Sequence, residues 1–169
     1  LNDFGVYRGR SEFDLKTTKD KPIILIGGTN GAGKTTLFES VMLCLYGQNS
    51  FDTKISQKQY HNKILRSIHR ILGTKKAADS ASLGVEFQYA HAGIISEYKV
   101  FRMWQNNDGS IDETFTIEKR KFGDENFVKL DSLEESEWQT FIDQLLPKGI
   151  IKLFFFDGEK IQNIADSGN

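Results

Sequence analysis

Hydrophobic and polar positions divide the chain into segments of different period. Residues 4–15 read as a strand, a turn at Arg8, Gly9 and Arg10, and a second strand with Phe13 and Leu15 on one side. After Pro22 the run Ile23, Ile24, Leu25, Ile26 has no polar alternation, which suits a strand buried on both faces of a sheet. A glycine-rich loop follows, and residues 34–46 then read as a helix. Leu37, Val41 and Leu45, with Phe38 and Met42, recur there at helical spacing, and Gly47 is a natural C-terminal stop.

Ile64, Leu65, Ile68, Ile71 and Leu72 share one stripe and predict a second helix over 56–72; residues 73–81 read as a mobile polar loop. Residues 83–89, 95–104, 113–120 and 127–130 read as antiparallel strands, with a hairpin turn at Asn106, Asn107, Asp108 and Gly109. Ser132 and Glu135 have capping-box spacing, opening a helix that runs to Leu146 and stops at Pro147. Residues 150–156, apolar but for Lys152, read as another buried strand.

Composition narrows the class. At 169 residues, with 38% hydrophobic and 27% charged residues, the chain suits one globular domain rather than a disordered tail. Its longest apolar runs are strand-sized, so no membrane association is expected. A single cysteine, Cys44, excludes a disulfide framework and a cysteine-based zinc site, and fits a reducing cytoplasm. The chain opens on Leu1 rather than Met, so its very start is expected to be missing, and nothing there resembles a signal peptide. A net charge of −1 excludes a globally basic nucleic-acid binder and leaves local patches to carry any such role.

The strongest chemical signal is Gly28-Thr29-Asn30-Gly31-Ala32-Gly33-Lys34-Thr35, a complete G-x-x-x-x-G-K-[ST] between an apolar run and an amphipathic helix. Glycines let the backbone curl so that successive N–H groups point at phosphate oxygens. The helix that starts here adds its dipole and its unpaired N–H groups. Lys34 supplies the cation for the β- and γ-phosphates, and Thr35 offers a hydroxyl to Mg²⁺. ATP and Mg²⁺ are thus the expected cofactors, with Gly28, Asn30, Gly31, Ala32, Gly33, Lys34, Thr35 and Thr36 as the binding loop.

A second metal-side group is needed for hydrolysis, and Leu153-Phe154-Phe155-Phe156-Asp157-Gly158-Glu159 is the stretch that offers one. On its residues alone it reads equally as a Walker B strand or as a core strand capped by a turn aspartate.

These motifs resemble the N-terminal half of the ABC-type heads of SMC-like DNA-repair ATPases, such as the bacterial SbcC group. The resemblance rests on the opening strand, on Asn30-Gly31-Ala32-Gly33-Lys34-Thr35-Thr36 and on a helix ending Leu45-Tyr46-Gly47. Within that superfamily, the stretch from Lys152 to Ile161 resembles the signature of DndD, the ATPase of bacterial DNA phosphorothioation. The resemblance implies an α/β fold: the N-terminal lobe of a P-loop NTPase head with an antiparallel β-subdomain. It also implies a division into residues 1–48 (strands, P-loop and helix), 49–80 (basic helical segment), 81–131 (antiparallel strands) and 132–169 (a helix and a segment leading towards a coiled coil). Asp157 then stands where relatives carry the Q-loop glutamine, as a Mg²⁺-side contact. Tyr7 and Arg8, in the early strand-and-turn region, would lie beside the nucleotide, stacking on adenine and reaching a phosphate. Partners implied are DNA, the protein's own C-terminal lobe, a second head joined by ATP, and other phosphorothioation (Dnd) proteins. No Leu-Ser-Gly-Gly string and no second apolar strand ending in Asp-Glu is present, so this lobe alone is expected to be inactive.

One further patch stands out. From Lys54 to Lys76 the chain carries seven basic residues, including Lys58, Lys63, Arg66 and Arg70, and no acid. On a helix, Lys63, Arg66 and Arg70 share a stripe, either a phosphate-tracking surface for DNA or a solvated face. His61, His69 and His91 lack metal-ligand spacing and read as structural, while Cys44, Trp104 and Trp138 read as core.

Overall fold

The computed structural model describes residues 1–70, 77–130 and 137–154. Its strands are β1 (Asn2–Phe4), β2 (Tyr7–Arg10), β3 (Ser80–His91), β4 (Ile94–Asn107), β5 (Ser110–Lys121) and β6 (Val128–Lys129), joined antiparallel in the order β2-β1-β3-β4-β5-β6. The helices are α1 (Lys34–Tyr46), α2 (Gln57–Ser67), α3 (Trp138–Leu145) and α4 (Lys148–Phe154), with a 3₁₀ turn at Gly47–Ser50 after α1. The fold is mixed α/β, as expected.

Two-residue turns make β3, β4 and β5 a meander. Asp108 and Gly109 have φ of 50° and 96°, the mirror-image turn whose twist matches the strands it joins. Ala92 and Gly93 form the other connection, with φ of 49° and 78°. Alternation along β4 sends Tyr98, Val100, Arg102 and Trp104 to one buried face, where Val100 lies opposite Val85 and Ile117. The buried C-terminal half of α1 covers that face. Cys44 sits at the contact, its thiol donating towards the Leu83 and Val100 carbonyls at 3.5 and 3.6 Å. Burial pushes that thiol up to about 12, so it stays protonated and inert as a core group. Trp104 and Trp138 are buried as expected, and Trp104 Nε1 donates to the Tyr60 hydroxyl of α2 at 3.1 Å.

Arg102 is the one buried cation of this core among the described residues. Its Nε donates to the Cys44 carbonyl at 3.1 Å, Nη1 pairs with Glu113, and Nη2 donates to Gln139 Oε1 of α3 at 3.0 Å. Gln139 passes the link on to the Leu45 carbonyl at 3.1 Å. The guanidinium thereby satisfies the open C-terminal end of α1, where a cation also meets the negative end of the helix dipole. Gly47 is required beside it: its φ is 50°, and a Cβ would lie 2.8 Å from Arg102 Nη1.

Several expectations fail for identifiable reasons. The opening turn falls at Gly5 and Val6, where Gly5 takes φ of 58°, and not at residues 8–10. Pairing runs out with the bond from Ser11 N to Leu1 O at 2.9 Å, so Phe13 and Leu15 are exposed and not in a strand. Ile23, Ile24, Leu25 and Ile26 form no strand either; Ile23 and Leu25 are 83% and 93% exposed. A strand buried on both faces needs neighbours along both edges, and the described sheet offers this run none.

Residues 150–154 are helical, because Pro147 starts a helix as well as ending one: its carbonyl accepts from Ile150 N at 2.9 Å and Ile151 N at 3.2 Å. Helix α2 starts at the Ser56 capping box but ends at Ser67, with Ile68 already extended. Strand β1 takes over there, through a Phe4 to Ile68 bridge and a bond from His69 N to Asp3 O at 2.8 Å. The capping box expected at Ser132 lies outside the described residues.

Candidate functional site

The loop before α1 supplies the conformations that its glycines promise. Gly31 and Gly33 have φ of 83° and 101°. At Gly33 a side chain would also collide: a Cβ would sit 2.7 Å from Val6 Cγ2 and 2.8 Å from the Tyr7 hydroxyl oxygen. Gly33 is the N-terminal boundary residue of α1, where no side chain caps the helix and no acidic residue occupies the first turn. The first helical bond runs from Leu37 N to Gly33 O at 2.8 Å, so the amides of Thr35 and Thr36 stand ahead of the intrahelical ladder, at the positive end of the helix. Lys34 Nζ folds back onto the Gly28 and Thr29 carbonyls at 2.8 and 3.3 Å, holding its charge over the loop. A depression of about 220 Å³ lies here, lined by Val6, Asn30, Gly31, Gly33, Lys34, Thr35 and Thr36.

These residues fit a polyphosphate with its magnesium ion. Curled glycines, uncapped amides, one ammonium and one exposed threonine hydroxyl are the donor set that such a group requires. Asn30, Gly31, Gly33, Lys34, Thr35 and Thr36 line one depression, while Ala32 is exposed in the same loop and Gly28 enters through its carbonyl.

Tyr7 belongs to this site through its hydroxyl, which donates to the Gly33 carbonyl at 3.1 Å. Its ring meets Phe13 edge-on at 5.5 Å. Burial raises the phenol above its ordinary value of 10.0, so it remains a donor at neutral pH. Arg8 is exposed, and the alternation of β2 sends it to the opposite side from Tyr7. Asp157 lies outside the described residues.

Sequence reasoning did not find Gly5 or Val6. Gly5 packs so tightly on Thr36 that a Cβ would approach its Cγ2 to 2.5 Å, and Val6 forms part of the wall. The turn glycine at position 5 was the available signal.

Lys58, Lys63 and Arg66 are exposed on α2, with Lys63 Nζ 4.8 Å from the centre of the Phe51 ring. A second depression, of about 270 Å³, lies between Ile55, Gln59, Asn62, Lys63 and Arg66. Arg70 is exposed but leaves the helical stripe, because it follows the extended Ile68 and bridges to Ala77. Among the described residues no cluster of three His, Cys, Asp or Glu groups could hold a metal ion, and no helix is long and apolar enough to cross a membrane.

Comparison with known proteins agrees with this geometry. Over 50 residues the chain is 38% identical to the SbcC component of the nuclease SbcCD from Vibrio cholerae, a match covering 30% of this chain and 5% of that protein. A family model described as an AAA domain matches residues 1–167. Neither match singles out DndD. With the loop, its helix and nearly the whole chain matched, the chain belongs to the AAA domain family.

Proposed function

We propose that this chain is the ATP-binding lobe of an SMC-like ATPase acting on DNA, with hydrolysis completed by a C-terminal lobe. The observation that carries the reading is the convergence of Lys34, Thr35 and two left-handed glycines on one depression at the start of α1. The backbone from Gly28 to Gly33 would enclose the phosphates, and Lys34 would leave its loop carbonyls to neutralise the β/γ oxygens. Thr35 would hold the metal through its hydroxyl and Thr36 would border the phosphates. Tyr7 steadies the Gly33 carbonyl and Arg8 is a phosphate contact by resemblance only, as is Asp157 on the metal side. Mg²⁺, when bound, spreads the charge that builds on the phosphate oxygens. This lobe alone would turn over no ATP, since none of these residues orients the attacking water.

Lys58, Lys63, Arg66 and Arg70 would follow the DNA backbone without reading its sequence. By resemblance, two heads would join through ATP in the cytoplasm. The stretch from Lys152 to Ile161 supports phosphorothioate modification with other Dnd proteins as the pathway. The identity with a component of the nuclease SbcCD favours a second reading, a repair ATPase with a nuclease partner. The proteins that co-purify with the full-length protein separate the two.

Calorimetry of ATP binding by the full-length protein tests the site. Lys34→Ala should lose roughly a hundredfold or more in affinity, as expected for a charge-assisted phosphate contact, with an unchanged melting temperature. Near-wild-type affinity in the mutant would overturn the assignment.

A further inference from the structure

The turn of Gly5 and Val6 has two sides. One side presses on the candidate phosphate site: Gly5 against Thr36, Val6 and Tyr7 against Gly33. The other side is gripped by the segment leaving α2. Gly5 N donates to the Ser67 carbonyl at 2.6 Å, and the His69 ring nitrogen Nδ1 lies 3.0 Å from the Gly5 carbonyl oxygen. Both backbone polar groups of Gly5 are therefore held by residues more than sixty positions away. Next to them Phe4 and Ile68 are bridged and buried at 4% and 1% exposure, so this grip is anchored in the core.

We infer that His69 is a positioning residue for the P-loop, acting through Gly5 and Val6 on Gly33 and Thr36. The chemistry fixes which atom matters. A carbonyl oxygen only accepts, so Nδ1 must carry the proton and donate. The link from His69 to the loop is short: one backbone unit, Gly5 at φ of 58°, meets Thr36, and its neighbours Val6 and Tyr7 meet Gly33. Loss of the Nδ1 donor frees the Gly5 carbonyl, relaxes the turn and lets Gly33 leave the left-handed conformation that shapes the loop. His69 touches neither nucleotide nor metal in this arrangement. Its effect appears as altered loop geometry. The inference rests on the ATP reading of the loop.

The test uses His69→Ala, His69→Asn and His69→Gln in the full-length protein. An asparagine amide can occupy the place of Nδ1, whereas a glutamine amide falls nearer Nε2. Loss of one such bond should weaken ATP binding roughly five- to tenfold in the Ala and Gln variants, with Asn staying within about twofold of wild type. Amide hydrogen exchange at Gly5 and Leu37, the bonded amides on the two sides of the turn, measured without nucleotide, should quicken in Ala and Gln and recover in Asn. Three variants alike, whether all normal or all impaired, would overturn the inference. If wild-type protein binds no ATP, the functional reading falls, and the exchange pattern alone decides the role of His69. If the Ala variant fails to fold, the Asn and Gln pair still decides it.

Discussion

Val100 and Leu25 are aliphatic residues of similar size, yet Val100 is fully buried and Leu25 is 93% exposed. Val100 sits on β4, with β3 and β5 on its flanks and α1 above. Leu25 belongs to a run with no strand alongside it among the described residues, and residues 12–32 are exposed throughout. The meander thus has its backbone groups paired and its apolar face covered. The glycine-rich loop hangs on a scaffold at two points, the start of α1 and the turn of Gly5 and Val6. Hydrophobicity alone does not bury a strand; it needs edges to pair with.

This contrast assigns different penalties to the two regions. Arg102→Ala should produce the largest loss of stability, about 3 kcal/mol, because it takes the ion-pair partner from Glu113 and the donors from the Cys44 carbonyl and from Gln139 Oε1. Chemical denaturation measures it; a loss near zero would mean that the end of α1 holds without the guanidinium. Changing Lys63, Arg66 and Arg70 together to Glu should leave stability intact and weaken duplex binding by roughly tenfold or more, with a shallower salt dependence. Unchanged binding and slope, read by anisotropy titrations at several salt concentrations, would reduce α2 to a solvated face. The smallest effect belongs to Leu25→Ser in the 169-residue chain, within about 0.5 kcal/mol by thermal melting, whereas a polar group at Val100 would face a dry core. A large loss at Leu25 would erase the distinction between the regions.

Legibility in the sequence followed the range of the forces involved. Helix α1 and its glycine-rich entry were readable because loop glycines, helical spacing and Gly47 act within a few residues. The Asp108 and Gly109 turn was readable for the same reason. The Ala92 and Gly93 turn was not, because alanine rarely takes φ of 49° and the long strands impose it. Residues 150–154 show the ambiguity of a short apolar run, which fits a strand or a helix until its flank decides; here Pro147 decided. Arg70 left its stripe because β1 captured the end of α2, a contact between residues more than sixty apart. The conformation of the glycine-rich loop was legible, while its contacts with Gly5 and Val6, and theirs with His69, were not, since no local pattern encodes which turn will meet which histidine.

The order in which strands meet has a kinetic consequence. Strands β3, β4 and β5 are closed by two-residue turns, whereas β1 reaches β3 through Asn2 opposite Ser82, eighty residues along the chain. Loop-closure entropy grows with the logarithm of length, so that single pairing costs about 3 kcal/mol more than either hairpin. The meander can form from neighbours in sequence, while the turn that backs the glycine-rich loop must wait for distant parts of the chain to find each other before it docks. Docking of the Gly5 and Val6 turn against the start of α1 is therefore a late step of folding, set by chain length and not by local pattern.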